Sequence, residues 1–457
     1  AKADFFKNIS NIIQDNENRL SYGVSVTDFD KDDKFEFIVA GFGYPNLALK
    51  YDNGKLINSI SDSLFADTER RTIGVASCDI DQDGFEEIYF LNTDSYSGEK
   101  KYSDRLLDHT DVISDFFEIQ KNQDSLNLTA GRSVVCVDRD GSGKYGIYVA
   151  NYGGPTRFYE INDSEVSDLA PSLMLDQITG GRAVIAGHIV SNNMDIFAAN
   201  ERGPNFLYKN NNGQFTEIAG EKNIQDTFQN GRGTALTDFL YRGNLDIITS
   251  NWNGYHRIFV KDNNSFFDSS SLEFRAPSLI RTVISADFDN DGYDEIFMNN
   301  IGQPNKLFRI LGNGELEEII IDEALEADGL GTGAAVADID NDGVLELLIS
   351  HGESGAQPLS LFKANISSER NFIRIKPLNT FGAPARGATV TLNTNMRKHA
   401  KTIDAGSGYL CQMEPVAHYG IREGEVIENI SIKWTNGMVE TYKVEKTNQT
   451  YVYKQGI

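Results

Sequence analysis

The chain has 457 residues, with 67 Asp and Glu against 42 Lys and Arg, and a formal net charge of -25 at pH 7. This charge excludes nucleic acid and anionic membrane surfaces as main partners, because both repel an acidic protein. The 40% hydrophobic content supports a large core, and nowhere do roughly 18 apolar residues follow one another as in a membrane-spanning helix. We therefore expect one large repeat domain or two ordinary domains, without membrane insertion.

A short acidic motif recurs along the chain. Its copy at 287–295 reads DFDNDGYDE, with carboxylates at the first, third, fifth and ninth positions and glycine at the sixth. Hard divalent cations need several oxygen ligands, which these carboxylates and the carbonyl of the seventh residue can supply. Glycine at the sixth position permits the sharp turn. The flanking RTVISA and IFMNN are short and apolar, so the motif predicts a calcium loop between two strands and not an EF-hand.

Seven copies of the unit align on the first loop position, at steps of 51, 59, 49, 51, 49 and 51 residues. A period near fifty that is rich in short strands is typical of propeller blades, with a β-solenoid as the alternative. We predict an all-β fold, in which a seven-bladed, integrin-like β-propeller at 1–365 precedes a small β-sandwich at 371–457. The first loop positions are Asp28, Asp79, Asp138, Gly187, Asp238, Asp287 and Asp338.

The start of the chain reads like the end of a repeat unit. The segment DFFKNIS at 4–10 resembles LYKNNNGQFTEIA at 207–219, whereas the last unit stops after LFKAN at 361–365. We therefore expect residues near Phe5 to Ile9 to supply the outer strand of the seventh blade. Such closure removes exposed sheet edges.

Four loops keep every carboxylate and are predicted to bind Ca²⁺. In the first of them Asp33 stands at the sixth position in place of glycine. Asp tolerates a positive φ at this position at some energetic cost. The predicted ligands, including the carbonyl donor at the seventh position, are Asp28, Asp30, Asp32, Lys34 and Glu36; Asp79, Asp81, Asp83, Phe85 and Glu87; Asp287, Asp289, Asp291, Tyr293 and Glu295; and Asp338, Asp340, Asp342, Val344 and Glu346.

The other three loops are incomplete. The third keeps Asp138, Asp140 and Ser142 but has Gly146 at the ninth position, which makes it a candidate fifth site. The fourth keeps only Asp195 and is predicted to be empty. In the fifth, Arg242 stands between Asp238 and Asp246, and we hypothesise that its guanidinium pairs with both carboxylates in place of an ion.

Two further features concern the second and third units. The surplus of the second unit lies between Thr93 and Asn127, where DRLLDHTDVISDFFEIQ is predicted to form a short amphipathic helix, as an insertion at the blade edge or as a binding loop. Cys78 and Cys136 precede calcium loops on strands expected to be buried. We interpret them as inert core thiols.

The repeats and the tail together resemble the FG-GAP/VCBS repeat class and, more narrowly, the cartilage acidic protein (CRTAC) and ASPIC/UnbV family. The repeat pattern includes NERGPNFLYKN and NIGQPNKLFRI, and the tail carries GATVTL at 387–392, GSGYL at 406–410, EPVAHYGI at 414–421 and IKWTNG at 432–437. The EGF-like module of animal members is missing from this sequence. The resemblance implies a seven-bladed propeller with calcium between strands, an extracellular or cell-surface setting, and binding instead of catalysis.

An arginine recurs shortly before the loop in five units. If these strands are innermost, the arginines gather at the channel mouth opposite the calcium loops, where they would bind an anionic glycan or acidic peptide, or else pair with carboxylates of neighbouring blades. GSGY is either a ligand loop or, as we favour, a structural turn. The five arginines are Arg71, Arg132, Arg182, Arg232 and Arg281.

We therefore expect a secreted or cell-surface, calcium-stabilised binding protein for a glycan or an extracellular protein. An enzyme acting on polysaccharides is the second interpretation, but no histidine lies in a recognisable nucleophile or zinc motif. A structural subunit that associates with its own copies is the third.

Overall fold

The computed structural model describes residues 4–366 and 368–456, and its regular structure is almost entirely β-strand. The chain begins with β1 (Phe6–Asn8), which joins the last blade. The first three blades contain β2 (Ser21–Thr27), β3 (Glu36–Gly41), β4 (Leu47–Asp52) and β5 (Lys55–Asn58); β6 (Thr72–Cys78), β7 (Glu87–Asn92), β8 (Arg105–His109) and β9 (Ile113–Asp115); and β10 (Gly131–Val137), β11 (Gly146–Pro155), β12 (Arg157–Asn162) and β13 (Glu165–Asp168).

The remaining four blades repeat this antiparallel meander. The sheets of the third and fourth blades merge, because β11 is long enough to pair with the first strand of the fourth blade. These blades contain β14 (Ile178–Gly187), β15 (Asp195–Glu201), β16 (Phe206–Asn211) and β17 (Gln214–Glu217); β18 (Gly231–Thr237), β19 (Asp246–Asn251), β20 (Arg257–Asp262) and β21 (Ser265–Asp268); β22 (Ile280–Ala286), β23 (Glu295–Asn300), β24 (Lys306–Ile310) and β25 (Leu316–Ile319); and β26 (Gly331–Ala337), β27 (Glu346–His351) and β28 (Ser360–Ala364).

The first strand of each blade is innermost, since these strands contact one another in order around a ring. They are rich in small residues because neighbouring blades approach closely there. A Cβ added at Gly333 of the seventh blade would lie 2.5 Å from the carbonyl oxygen of Tyr22 in the first. The described chain therefore forms a seven-bladed propeller. Its short helices are α1 (Ser63–Ala66), α2 (Leu272–Arg275) and 3₁₀ turns at Ser10–Ile12, Phe116–Glu118, Gln120–Ser125 and Asp322–Ala324.

The seventh blade is completed by the start of the chain. Strand β1 pairs antiparallel with β28, with Phe6 opposite Ala364. The side chain of Phe6 is fully buried against the rings of Phe288, Phe297 and Phe362. The ring is thus closed by hydrogen bonds between strands that are 350 or more residues apart.

Substitution of Phe6 tests this closure. Phe6→Ala is expected to lower the free energy of unfolding by about 3–5 kcal/mol, because it leaves a cavity among three aromatic rings. Urea unfolding followed by fluorescence measures the change. Lys7→Ala on the same strand is the matched control and should stay within about 0.5 kcal/mol of the wild type, since Lys7 is exposed. Equal stability of the two variants would contradict the role of β1.

The tail forms two small sheets around its own core. One sheet has the order β32-β29-β35 and the other β31-β30-β33-β34. Trp434 and Tyr419 are among the largest side chains buried in this core. The tail is therefore a β-sandwich. Its strands are β29 (Asn371–Leu378), β30 (Thr389–Thr394), β31 (Lys398–Thr402), β32 (Ala417–Ile421), β33 (Ile427–Lys433), β34 (Val439–Tyr442) and β35 (Gln449–Lys454).

The helix predicted in the second unit is wrong. The segment instead forms β8 and β9, the outer strands of the second blade, followed by two 3₁₀ turns. Leu106 and Leu107 are both buried between blades, and Arg105 is paired with Asp67 and Asp115. The propeller needs outer strands at this point, and their packing overrides the local helical pattern.

The interpretation of two cysteines as inert thiols is also wrong. Cys78 and Cys136 form a disulfide between the innermost strands of the second and third blades, while Cys411 is free and buried. The bond closes a loop with a sequence separation of 58 residues. It ties two neighbouring blades together next to the metal loops.

Removal of this disulfide is expected to destabilise the protein. For a loop of this length the chain-entropy model gives a loss of about 4 kcal/mol for Cys78→Ser combined with Cys136→Ser. Urea unfolding measures the loss, and Cys411→Ala serves as a thiol-removal control that leaves the cross-link intact. Thiol titration of the denatured, unreduced wild type should find Cys411 alone. Three reactive thiols would show that the cross-link is absent.

Candidate functional site

Each loop joins the innermost strand of a blade to the second strand, and all but the fourth turn in the same way. The sixth residue has a left-handed backbone, with φ of 87° at Gly292. Asp33, which replaces glycine in the first loop, adopts the same region at φ 67°. The amide of Gly292 donates to the carboxylate of Asp287 over 2.8 Å. The turn thereby directs the first carboxylate into the loop.

Three of the four complete loops bring all their carboxylates together, with one oxygen of each within 4.8 Å of the others. In the first loop the same holds for Asp28, Asp30 and Asp32, but Glu36 does not belong to this group. The complete groups are Asp79, Asp81, Asp83 and Glu87; Asp287, Asp289, Asp291 and Glu295; and Asp338, Asp340, Asp342 and Glu346.

These groups fit a hard divalent cation. The buried oxygens Asp287 Oδ1, Glu295 Oε2 and Glu36 Oε2 have no hydrogen-bond partner among the described residues. Burial, followed by repulsion from Asp30 and Asp28, raises the pKa of Glu36 to about 10. A buried carboxylate without a hydrogen-bond donor destabilises the folded protein, and a cation such as Ca²⁺ would compensate its negative charge. The carbonyls of the seventh residues, Lys34, Phe85, Tyr293 and Val344, stay predicted ligands.

Basic side chains also enter three of the loops, which the motif alone does not reveal. Lys363 Nζ lies 2.8 Å from Asp340 and 3.1 Å from Glu346. Lys50 contacts the carboxylates of Asp30 and Asp32, and Arg309 Nε lies 2.8 Å from Asp291. Each cation stands on the third strand of its blade. Their signal in the sequence is a basic residue near the end of the mainly apolar third strand, as in LFKAN and KLFRI.

Hydrogen bonds hold the acidic side chains of the third and fourth loops. Asp138 accepts from the hydroxyl of Thr435 at 2.6 Å, and Asp140 accepts from Ser142 at 2.6 Å. One buried oxygen of Asp138 has no partner among the described residues. In the fourth loop, Asp195 accepts three backbone amides from residues 189–191. Backbone amides of the fourth loop thus satisfy its single carboxylate.

The hypothesis that Arg242 pairs with two carboxylates is wrong. Its guanidinium lies 3.8 Å from Asp246 and donates to the carbonyl of Lys261. Asp238 instead accepts the backbone amides of Arg242, Gly243 and Ala400. The amide of Ala400 comes from the tail, so Asp238 serves the contact between the two domains.

The tail covers the loop face of the propeller. Its donors reach the first carboxylates of several loops: Gly420 N donates to Asp287, and Thr435 to Asp138. Arg374 binds Glu414 in the tail and lies 3.6 Å from Asp338. Buried ionic groups thus line this domain contact. Sequence reasoning missed it, because these donors are scattered through the tail. The further pairs are Arg386 with Glu86, His399 and Lys401 with Asp294, and His418 with Asn290.

One loop of the tail enters the central channel. Residues 404–413 hydrogen-bond to the innermost strands: Gly408 exchanges two backbone hydrogen bonds with Thr234, and Val75 N donates to Leu410 O. The side-chain amide of Gln412 donates from Nε2 to Ser77 O and Ala405 O. This loop contains the GSGY segment, which therefore has a structural role in this protein.

Four of the five predicted arginines converge on the tip of this loop. Arg182 Nη1 donates to the Tyr409 hydroxyl over 3.0 Å, and the Arg232 guanidinium lies 5.8 Å from the ring centroid. Burial raises the pKa of Tyr409, but the positive charges of Arg182, Arg232, Arg132 and Arg281 outweigh it and lower this pKa to about 8. The arginine cluster thus binds the chain's own loop.

The arginines are otherwise paired or stacked. The four cluster members are only 3–5% exposed. Two carboxylates face them, since Glu201 pairs with Arg182 and Glu353 with Arg281. Arg71 is outside the cluster and exposed, with its guanidinium 5.5 Å from the ring centroid of Phe42. A role of these five arginines in binding an external ligand stays a prediction.

A ring of seven four-stranded blades with acidic loops, closed by a β-sandwich on the loop face, defines a propeller of the FG-GAP-like repeat class. The family model for the FG-GAP-like repeat matches residues 287–349, and that for ASPIC and UnbV matches 379–457. Among the described residues, none of the helices has the length and apolar character needed to cross a membrane.

The chain belongs to the cartilage acidic protein family. It is 44% identical to Cartilage acidic protein 1 of Xenopus tropicalis, over 94% of this chain and 72% of that protein. The identity to Cartilage acidic protein 1 of Homo sapiens is also 44%, over 94% of this chain and 71% of the relative. A solved structure of YCF48 bound to D1 peptide is similar with a TM-score of 0.49 and 9% identity, covering 80% of this chain and 99% of that one.

Proposed function

We propose that the protein is an extracellular, calcium-stabilised binding protein that recognises a protein or glycan through the propeller face opposite the metal loops. One observation carries this proposal. The turns at that face expose large apolar side chains, with Phe228 97%, Ile178 71%, Tyr96 68%, Met174 67% and Tyr255 51% exposed, and the Tyr96 ring centroid lies 5.4 Å from the guanidinium of Arg132 in the arginine cluster. Aromatic residues, Met and Arg are the residues that binding interfaces favour.

The location of these side chains follows from the chain path. An innermost strand begins at the arginine end and finishes at its metal loop, so the turns between second and third strands return to the arginine end. Tyr96 and Tyr255 lie on such turns, and Phe228 precedes the next innermost strand. Because the tail covers the loop face, this opposite face is the open end of the propeller.

Three arguments support an extracellular setting. The disulfide between Cys78 and Cys136 persists in oxidising compartments. Calcium loops suit an exterior where the ion is abundant, because even weak sites are filled there. The relatives are named for cartilage, and a site outside the cell agrees with that name.

Binding is favoured over catalysis because the large exposed side chains of the open face are apolar, whereas two histidines at this end, His256 and His351, are buried. Burial lowers the pKa of His256 to about 3, so it does not exchange protons near neutral pH, and His351 is held between the Pro358 carbonyl and Glu326. An enzyme that acts on polysaccharides is the alternative. New reducing ends or unsaturated products after incubation with anionic polysaccharides would favour that alternative.

An array of glycans and extracellular proteins, probed with the full chain in calcium, tests the proposal. For any ligand found, Phe228→Ser combined with Tyr255→Ser should weaken binding about tenfold or more. The matched control is Met438→Ser combined with Val426→Ser on the tail, where the exposures are 66% and 62%. Loss of binding in the control alone would place the site on the tail and refute the proposal.

A further inference from the structure

The four complete loops differ in the charge that faces their ninth carboxylate. In antiparallel pairing, Glu36 stands opposite Lys50, and Glu346 opposite Lys363. The same register places Arg309 opposite Glu295 in the sixth blade. Three of the four loops therefore have a cation at the same place on the third strand.

The second blade has a carboxylate at this place. Ile88 pairs with Leu107, which sets Asp108 opposite Glu87. Burial, and then repulsion from Asp83, raises the pKa of Asp108, so its charge is felt by the loop. The neighbouring Lys31 lies 4.5 Å from the ring centroid of Phe85 and offsets part of the charge of Asp108, but among the described residues it forms no ion pair with the loop carboxylates. The second loop therefore combines four carboxylates with a fifth acid nearby.

The charge balance separates the loops clearly. Counting only the four carboxylates and the residue that faces the ninth of them, the first, sixth and seventh loops carry -4 + 1 = -3, whereas the second carries -4 - 1 = -5. Arg370 beside Asp289 and Arg374 beside Asp338 add further positive charge to the sixth and seventh loops. In the seventh loop a metal ion would also share its oxygens with an ammonium group, because Lys363 Nζ lies 2.5 Å from Asp342. A divalent cation is attracted by the sum of nearby charges, and calcium affinity depends on how many charged ligands a loop has.

We propose that Asp108 makes the second-blade loop the tightest calcium site of the protein, and that Lys50, Arg309 and Lys363 weaken the other three. This inference rests on the proposed calcium binding and ranks sites within it. The second loop then stays filled when calcium is scarce. The three other loops fill and empty as the calcium concentration changes.

Calcium titration of the full chain against a chromophoric chelator tests the ranking, with thermal melting as a check that each variant folds. Asp108→Asn should weaken the tightest class of sites about tenfold, and Glu87→Gln should remove it. Lys363→Gln should leave the tightest class unchanged and strengthen one weaker site about tenfold. Glu295→Gln is the matched control for Glu87→Gln and should remove a weak site only.

The possible outcomes are distinct. A tightest class that survives Glu87→Gln but disappears with Glu295→Gln or Glu346→Gln overturns the ranking and leaves calcium binding intact. Unchanged affinities in Asp108→Asn and Lys363→Gln overturn the roles of the facing charges. Failure of the wild-type chain to bind calcium at all overturns the proposed calcium sites, and the ranking with them.

Discussion

Chelation of calcium is expected to lower the melting temperature of the protein by about 10 °C. Each filled site contributes roughly 2–3 kcal/mol when calcium is about 100-fold above the dissociation constant, and four sites act together on a large domain. Without the ion, Asp287, Asp289, Asp291 and Glu295 crowd into one loop, with Glu295 fully buried. Thermal unfolding in calcium and in excess chelator measures the difference.

This stabilisation by calcium should depend on pH. Burial raises the pKa of Asp79 to about 8 and of Asp338 to about 7 in the metal-free loops. A carboxylate whose pKa is raised in the folded state favours folding at low pH, where it is protonated, and loses that advantage as pH rises through the raised pKa. Calcium must displace these protons. The gain in melting temperature should therefore be larger at pH 8 than at pH 5.5.

A variant with glutamine at the four ninth positions separates calcium binding from general salt effects. It combines Glu36→Gln, Glu87→Gln, Glu295→Gln and Glu346→Gln. Because repulsion in the loops is lower, this variant should melt higher than the chelated wild type, yet gain little from calcium. Magnesium at the same concentration is a second control and should stabilise the wild type less, since it demands smaller octahedral sites. Equal gains from calcium in both proteins would contradict calcium binding at these loops.

The local features of the fold are predictable from the sequence, because the residues that determine the structure of each repeat lie within that repeat. The acidic residues, the turn glycine and the flanking apolar strands lie within about fifteen positions, so the blade pattern is visible by inspection. Even the left-handed Asp33 follows from residue chemistry. The cations Lys50 and Lys363 are harder to foresee, since they reach the loops only through cross-strand register.

Contacts between distant segments could not be read in the same way. The disulfide arises because Cys78 and Cys136 stand at the same end of adjacent innermost strands. If neighbouring blades are assumed to be in contact, the equivalent positions of the two cysteines in the sequence predict this disulfide. The tail on the loop face had no such signal. Its ionic side chains resemble solvated charges until Arg374, Arg386 and His418 are found to be buried.

The domain contact also changes where function is sought. Metal loops on an open face would be accessible to a ligand, but here the tail donates to Asp138, Asp238 and Asp287. The same domain sends Tyr409 through the channel to the arginine cluster. Direct contacts therefore connect the metal loops, the tail and the arginine cluster. The turns at the arginine end form the open surface.

Arg386→Met is expected to destabilise the protein by about 3–5 kcal/mol and to loosen the tail. The Arg386 guanidinium is fully buried and donates to both oxygens of Glu86, at 2.8 and 2.9 Å. It also donates to the carbonyls of Asp404, Met413 and Val26. Without the arginine, the charge of Glu86 stays buried and unpaired, which is the costly way to break an ion pair.

Urea unfolding and limited proteolysis of the tail measure this effect. Lys398→Met is the matched control, because it removes an exposed cation of the same domain and should change stability by less than about 0.5 kcal/mol. Combining Glu86→Gln with Arg386→Met should recover at least about 1 kcal/mol, since the buried charge is then removed with its partner. Wild-type stability and protease resistance in Arg386→Met would show that the tail is held by its other contacts alone.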